Sequence, residues 1–472
     1  MKLTPTEDEG SRDNKIRPWL LWCVTAGTVV MLIALLWPKP KRVSTTNAVT
    51  SPTTKASGSS DTMESGRSIA RRIAKSHARQ PGKSAEEIVA EKLQQFSHSR
   101  RGVAERIAQR RKEALPPEIA AFFFDAVGKG DWSQIDSRWK ELLAYQKNHE
   151  RPDLLPYLAM VRDTYGTVEQ THEWPAQQLL DYGNAILGSL RPGMVYVGGT
   201  DCGRFVPELL SETGDDPHVV ITQNALADPT YLDLLSDLYG GQLNGLSTED
   251  SQRAFQDYMA DAQKRLQHDV DFPNEPKQVL PGENITMKDG HLEVSGEVAV
   301  MAVNEKLLQA MMQKNPDLSF ALEESFALRG TYGNAAPLGP LMELNAQNDQ
   351  TPFTADLAAQ SVDYWRSTAQ TLLADPEATG SDYALKAYSH DIDATANLLA
   401  AHNFTSQAEQ AYQLALQVSP SNPEAVTGLA QVLVQTGHPG QAHAMLDIFA
   451  TEHPDQAKAF EQAKAAIVWT AK

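Results

Sequence analysis

The spacing of apolar residues predicts a chain built mainly of helices, with a few short strands in its middle. Between Pro116 and Leu190 apolar residues recur every three or four positions, as on the buried face of a helix. Two short helices are predicted to meet at Gly128–Gly130, with Asp131 as the cap of the second. Another predicted helix covers 174–190. These patterns predict a helical region before the first strand.

Residues 18–37 form an apolar run of 20 positions without a charge. At 1.5 Å per residue, a helix of this length spans a hydrocarbon core of roughly 30 Å. No A-x-A cleavage site follows, so we expect an uncleaved transmembrane anchor between an N-terminal tail (1–17) and a disordered Ser/Thr-rich linker (38–66). Lys and Arg are balanced on its two sides. The short tail and the large C-terminal part favour a single-pass protein of a bacterial inner membrane, with its bulk outside the cytoplasm.

Short continuous apolar runs in the middle of the chain predict buried strands. Met194–Val197 and His218–Ile221 are two such runs, and helical patterns follow them at Phe205–Leu210 and Asp228–Leu238. Strands that alternate with helices are typical of a parallel sheet covered by helices. The sequence therefore predicts a Rossmann-like parallel-sheet α/β domain at 175–350.

The pattern downstream predicts four more elements. A hairpin is expected at 285–294, where Asp289-Gly290 forms a favoured two-residue turn. Asn304–Lys314 reads as a helix capped by its first residue, and 319–326 and 341–344 read as strands. The stretch between these strands is rich in Gly, Pro and Asn, and we expect it to be a loop.

The C-terminal residues 351–472 contain a repeated helical pattern. The stretch AEQAYQLALQVSP at 408–420 aligns with AHAMLDIFATEHP at 442–454 with an offset of 34 residues, so that Ala408 matches Ala442 and Pro420 matches Pro454. This period and these residue types resemble the tetratricopeptide repeat, a pair of helices that packs on its neighbours. The resemblance implies an all-α region that binds peptides or protein domains. The positions that carry it are Ala408, Tyr412, Ala415, Pro420, Leu429, Ala442 and Pro454. An alternative is that two repeats serve only as a structural cap on the α/β domain.

The stretch MVYVGGTDCGRF at 194–205 places polar residues beyond the end of a predicted strand, and a second polar turn follows the next strand. Open α/β sheets bind ligands at this edge, where a helix start favours an anion. The candidate ligand-binding residues are Gly198, Gly199, Thr200, Asp201, Arg204 and Asn224. The stretch matches neither G-x-G-x-x-G nor the P-loop. A purely structural corner, with Thr200 or Asp201 as a helix cap and Arg204 paired to Asp201, remains open.

Residues 175–345 also resemble the soluble region of an uncharacterised bacterial family of multi-spanning membrane proteins related to protein O-mannosyltransferases. Gly199, Asp201 and Phe205 match its first corner, and Asn224 matches its second. This chain has one predicted span, whereas the transferase chemistry of such proteins belongs to their many-helix membrane part. The resemblance therefore implies a fold and a shared partner, and it does not imply glycosyl transfer.

Charge and composition narrow the function further. The formal net charge is −18, which argues against nucleic acid as a partner. The stretch 67–112 is basic, and two interpretations stay open for it: a solvated charged helix or an amphipathic helix on an anionic membrane. No H-E-x-x-H, G-x-S-x-G or CxxC pattern occurs, so the sequence predicts no metal, no cofactor and no catalytic residue. Cys202 at a helix start is read as a small filler of the turn.

These observations favour a membrane-anchored interaction or assembly protein that uses its C-terminal repeat to bind a protein partner. The alternative is a small-ligand-binding protein or enzyme acting at the strand ends around Gly198–Arg204 and Asn224. The sequence names neither the partner nor the process.

Overall fold

The computed structural model describes residues 82–148, 150–199, 201–280, 282–288, 291–323, 332–344, 353–464 and 467. The predicted tail, anchor and linker at 1–66 lie outside these residues, as do Thr200 and the turn at Asp289-Gly290. Among the described helices, none combines the length and the apolar character that a membrane crossing requires. The anchor and the domain boundaries therefore stay predictions.

Helices precede the sheet, as the apolar spacing predicts. The α-helices are α1 (Ala85–Arg111), α2 (Asp125–Lys129), α3 (Trp132–Lys147), α4 (Leu158–Glu173) and α5 (Ala176–Ser189). A π-helix at Glu118–Phe124 runs into α2, and a 3-10 helix at Pro152–Tyr157 precedes α4. The break between α2 and α3 is built as predicted: Gly130 adopts a left-handed conformation, and the Asp131 carboxylate accepts a hydrogen bond from the Gln134 amide at 3.1 Å.

The described residues form a mixed sheet of five strands: β1 (Val195–Gly198), β2 (Val220–Thr222), β5 (Phe320–Leu322), β6 (Ala335–Leu338) and β7 (Leu341–Leu344). Their order across the sheet is β2-β1-β5-β7-β6. β1 pairs in parallel with β2 and β5, whereas β7 pairs antiparallel with β5 and β6. The prediction of a parallel sheet holds for these three strands and fails for the edge that β6 and β7 form.

Helices α6 (Asp201–Glu212) and α7 (Pro229–Tyr239) follow β1 and β2. Asp228 caps α7 as predicted, accepting a hydrogen bond from the Thr230 amide at 2.9 Å. Helices α8 (Thr248–Asp271) and α9 (Glu297–Lys314) flank the hairpin of β3 (Asn284–Lys288) and β4 (His291–Ser295).

Two predictions in this region are wrong. Ala335–Leu338, expected to be loop, forms strand β6, because its backbone pairs with the neighbouring β7 through a tight turn at Gly339. Asn304, expected to cap a helix, lies inside α9 and is fully buried. Its side-chain oxygen accepts a hydrogen bond from the Ala227 amide at 3.0 Å, so its polarity serves the packing of α9 on the loop before α7.

The C-terminal helices match the predicted repeat. They are α10 (Ala355–Ala374), α11 (Pro376–Thr379), α12 (Asp382–Ala401), α13 (Thr405–Val418), α14 (Pro423–Gln435), α15 (Pro439–Glu452) and α16 (Ala457–Lys464). Pro420 and Pro454 follow the ends of α13 and α15. Pro423 is the first residue of α14, and Asn422 caps that helix through the Ala425 amide at 3.1 Å.

The described chain divides into two compact units. The small unit comprises the described residues of 259–300, and the large unit comprises the rest. Within the large unit, one hydrophobic cluster continues from α1 through the sheet to α14 and includes Phe96, Tyr196, Trp365, Tyr412 and Leu429. The sheet and the first repeat helices therefore share a core, which supports the interpretation of the repeat as a cap on the α/β region.

Candidate functional site at the junction of sheet and repeat

The three parallel strands end at the same edge of the sheet. Gly198 closes β1, Thr222 closes β2, and Leu322 closes β5, where Glu323 follows at once. The sequence predicts the first two of these strand ends but not the third. Glu323 lies inside a stretch predicted to be strand up to residue 326, so its position at the end of β5 is not evident from the sequence.

The carboxylate of Glu323 occupies the glycine corner. The backbone N–H of Gly199 donates a hydrogen bond to its Oε2 at 3.0 Å. A Cβ added at Gly203 would lie less than 3.0 Å from the same carboxylate. An amide next to a helix start is the feature that attracts anions. Here the anion is supplied by the protein itself, and it is buried.

The two glycines at 198 and 203 allow β1 and α6 to come close to each other. A Cβ on Gly198 would overlap the Gly203 carbonyl oxygen. That carbonyl is also unusual within its helix, because Pro207 has no N–H to donate to it. The hydroxyl of Tyr196 donates to the Gly203 oxygen instead. A tyrosine from the strand thus replaces the helix hydrogen bond that the proline removes.

Asp391 of α12 adds a second buried carboxyl group to this corner. Burial raises the pKa of Asp391 well above its usual range, and the charge of nearby Glu323 raises it further. The raised pKa favours the protonated form of Asp391, which lowers the repulsion between Asp391 and the neighbouring Glu323 carboxylate. The hydroxyl of Tyr182 in α5 donates to the sulfur of Cys202 at 3.9 Å, and Cys202 is buried, as expected of a filler.

The other candidate residues take different places. Asn224 lies at the edge, where its side-chain N–H donates to the carbonyl of Gly199 at 3.2 Å and ties the two polar turns together. Asp201 is the first residue of α6, and its side chain lies outside the description, as does Thr200. Arg204 is buried and forms an ion pair with Asp163 of α4.

Arg204 belongs to a buried charge network under α6. Its guanidinium carbon lies 4.5 Å from the centre of the Phe205 ring. Arg100 of α1 is fully buried and pairs with Glu208 and, at 2.6 Å, with Glu212. Burial raises the pKa of Glu208 to about 8, and the charge of Asp163 contributes. The network fixes α6 between α1 and α4, so Arg204 acts there as a structural residue.

Helix α1 covers the described part of the predicted basic segment. Its apolar face is buried in the core through residues such as Phe96 and Val103. Its arginines face acidic side chains of the same chain: Arg101 pairs with Asp125 at 2.7 Å, and Arg110 pairs with Asp237 at 2.5 Å. These contacts favour the interpretation as a charged helix packed on the protein. The membrane-surface interpretation stays untested for residues 67–81, which lie outside the description.

The repeat positions occupy the helix contacts expected of them. Ala408, Ala415 and Ala442 are fully buried, and Leu429 is buried. A Cβ on Gly428 would overlap the ring of Tyr412, so this glycine lets α14 approach α13. The Tyr412 hydroxyl donates to the side-chain oxygen of Asn397 at 2.7 Å, which joins α13 to α12.

Helix α12 is buried on both sides. It packs on α13 and α14 and also contacts β6 and β7 of the sheet. Asp391 and Asp393, which point to different sides of a helix, are 2% and 3% exposed. The face of the first repeat helix is therefore covered by the chain's own sheet. The exposed part of the repeat is farther along, on α15, where Ile448 is 56% exposed.

Clefts and metal sites give no further candidate in the described part of the chain. A notch of about 640 Å³ lies at α10 and α11, and a cleft of about 320 Å³ lies among α1, α4 and α7. Neither is lined by the strand-end residues. Within the same described residues, no group of His, Cys, Asp and Glu has the arrangement of a metal site.

Comparison with known proteins identifies one part of the chain. Residues 398–467 match the family model described as tetratricopeptide repeat. No curated protein matches the chain, and no solved structure matches it. The match covers α13, α14, α15 and α16. A tetratricopeptide repeat implies protein partners, and the comparisons offer nothing on O-mannosyltransferase-like relatives.

Proposed function

We propose that this chain is a membrane-anchored protein that binds a protein partner through its C-terminal tetratricopeptide repeat. The observation that carries the proposal is the agreement between the family match at 398–467 and the helix pairs found there. Stacked repeats of this kind expose surfaces that bind peptides or domains. Because α12 is covered by the sheet, the partner surface is on the outer part of the array.

The exposed face of α15 is the surface that we assign to the partner. Ala442, Leu446 and Phe449 point inward and form a second core cluster with α14 and α16. Ile448 points outward from the same helix and contributes little to that core. A partner that binds this face of the repeat would remove the exposed apolar side chain from water, which favours binding.

The test uses crosslinking and co-purification with a point variant. Removing residues after 350 would expose the shared core, since Trp365 and Tyr412 pack with the sheet. We therefore choose Ile448→Asp, with Leu155→Asp as the matched control, because Leu155 is 43% exposed in a 3-10 helix outside the repeat. The Ile448 variant is expected to lose a specific crosslinked partner that the wild type and the control retain. Retention by all three would refute the proposed surface.

The anchor is a separate part of the proposal. Support comes from the uncharged run at 18–37 in the sequence. We propose a single span in a bacterial inner membrane, with the large C-terminal part outside the cytoplasm. Alkaline carbonate extraction should leave the full chain in the membrane pellet and release a variant without residues 1–37. Protease added to spheroplasts should digest the C-terminal part, and complete protection would reverse the proposed orientation.

One observation supports the alternative of a small ligand at the strand ends. Gln223 is fully buried directly after β2, and neither polar atom of its side-chain amide has a hydrogen-bond partner among the described residues. Buried amides of this kind find partners in water or in a ligand. Native mass spectrometry of the purified chain tests this alternative. A bound small molecule that is lost in Gln223→Met would favour it, and the mass of the protein without any bound small molecule would refute it.

A further inference from the structure

Exposed apolar side chains are concentrated in the small unit. The described residues contain seven large apolar side chains that are exposed: Phe122, Leu155, Val270, Phe272, Leu280, Met287 and Ile448. Four of these belong to the small unit, 259–300, which is a minor part of the described chain. Val270 is 65% exposed and Phe272 is 50% exposed. Single exposed apolar residues are normal, but a concentration of them marks an interaction site.

Three of the four lie at one end of the small unit, which we call the apolar end (Val270, Phe272 and Leu280). The chain leaves α8 after Asp271 and folds back on that helix. The Asp269 carboxylate accepts hydrogen bonds from the backbone amides of Gln278 at 2.7 Å and Val279 at 3.1 Å. These bonds hold the chain just before Leu280 against the end of α8, where Val270 lies and which Phe272 follows.

Ion pairs fix this fold in place. Arg265 of α8 donates to the Glu283 carboxylate at 2.7 Å, and Glu283 is buried. The Glu283 carboxylate in turn accepts from the Leu280 amide at 3.1 Å. The apolar end is thus displayed by a defined set of hydrogen bonds, and its side chains stay outside the core.

The charge of the small unit indicates what kind of partner it fits. Its described residues contain 7 Asp and Glu against 4 Lys and Arg, a net charge of −3. Arg265 is already paired with Asp261 and Glu283. Exposed Asp271 and Glu275 flank Phe272 along the chain. Lys277 of the same turn donates to the Asp269 carbonyl at 3.0 Å, and His268 lies between Phe272 and Glu275, with its Nε2 3.3 Å from the Glu275 carboxylate. A surface with an apolar centre and an acidic rim complements a partner that is apolar and basic.

We propose that the apolar end of the small unit binds a basic amphipathic helix of a protein partner. Such a helix places its apolar side chains on Val270, Phe272 and Leu280 and its lysines or arginines on the acidic rim. A second copy of the same unit would place two surfaces of net negative charge against each other, and an anionic membrane would also repel the unit. This surface is independent of the repeat, so it adds a second partner site to the proposed function.

The experiment measures binding of a labelled amphipathic helix made only of leucine and lysine to the full chain, by fluorescence anisotropy. A helix of the same pattern made of leucine and glutamate is the matched control peptide. We expect the basic helix to bind, the acidic one not to bind, and added salt to weaken the complex. Phe272→Asp should weaken binding at least tenfold, whereas Ile448→Asp, an equal change at an exposed site of the repeat, should leave it unchanged.

Three kinds of result would contradict the proposed peptide-binding surface. Equal binding of both peptides, or no effect of Phe272→Asp, would overturn the proposal. If the chain self-associates and Phe272→Asp abolishes this, the surface belongs to a second copy of the chain. If the chain binds anionic vesicles and Phe272→Asp abolishes this, the surface belongs to lipid. Either result would overturn the proposal. Circular dichroism of Phe272→Asp checks that the variant is folded. Loss of the repeat's partner in Ile448→Asp, with peptide binding intact, separates this proposal from the proposed function.

Discussion

Replacing Gly203 by alanine tests whether the Glu323 carboxylate fills the glycine corner. The added methyl group would lie less than 3.0 Å from that carboxylate, and so one of the two groups must move. Glu323 has little freedom to move, because the Gly199 amide donates a hydrogen bond to its Oε2 and the residue is buried. Forcing an extra methyl group into a packed site costs about 1–3 kcal/mol. Alanine in a helix normally gains about 0.5–1 kcal/mol over glycine.

The assay is urea unfolding, followed by circular dichroism, of the wild type and four variants: Gly102→Ala, Gly203→Ala, Glu323→Ala and the Gly203→Ala/Glu323→Ala double variant. Gly102→Ala is the control, since Gly102 lies inside α1 and its added Cβ would meet only the Arg106 side chain at 3.6 Å. We expect Gly102→Ala to stabilise the protein by about 0.5 kcal/mol and Gly203→Ala to destabilise it by about 1–2 kcal/mol net. In a Glu323→Ala background the clash is absent, so Gly203→Ala should stabilise the protein by about 0.5 kcal/mol, as Gly102→Ala does, and the coupling between the two sites should be about 1.5–2.5 kcal/mol.

Two outcomes would contradict this account. If Gly203→Ala stabilises the protein as much as Gly102→Ala does, the carboxylate does not lie over Gly203. If the cost of Gly203→Ala is unchanged in the Glu323→Ala background, the strain arises elsewhere, for example from the Gly198 contact.

Two further predictions concern the same junction. The pKa of Asp391 is raised in the folded protein. At pH values above 3.8, the ordinary pKa of an aspartate, the folded protein therefore still binds a proton that the unfolded chain has released. As the pH rises from 4, the free energy of unfolding of the wild type should therefore fall by up to about 1.4 kcal/mol per pH unit relative to that of Asp391→Asn. Urea titrations at several pH values measure both, and an equal slope of the free energy of unfolding against pH in the two proteins would refute this. Tyr196→Phe should cost about 1 kcal/mol by removing the hydrogen bond that the Tyr196 hydroxyl donates to the Gly203 carbonyl. Pro207→Ala should recover this loss in thermal melts by restoring an N–H, and additive effects of the two substitutions would reject that explanation.

Local signals were enough to predict the helices and the parallel strands. The cap at Asp228 and the first-turn proline at Pro423 mark helix starts through their own side chains. The period of 34 residues identified the repeat before any packing was known. Features of this kind depend on residues close in the chain, and so a single sequence reveals them.

Features that depend on distant residues were missed. Ala335–Leu338 is rich in small residues and proline, and it becomes a strand only because β7 lies beside it. Asn304 has the type of a cap, but a backbone amide 77 residues earlier in the chain uses it as a buried acceptor. The partnership of Glu323 with the glycine corner and with Asp391 also joins segments far apart in sequence. No local pattern distinguishes such a glutamate from a surface one.

The burial of α12 on both sides has a consequence for how the molecule opens. Amide hydrogens of a helix that lies between two layers exchange with solvent only when both layers separate, so α12 should be among the slowest helices in hydrogen-exchange experiments. Helices α15 and α16 belong to the smaller second cluster with α14. They should exchange earlier, as a separate unit at the end of the chain. The surface proposed for the partner would then be the part of the repeat that opens first, whereas its inner half moves only with the sheet.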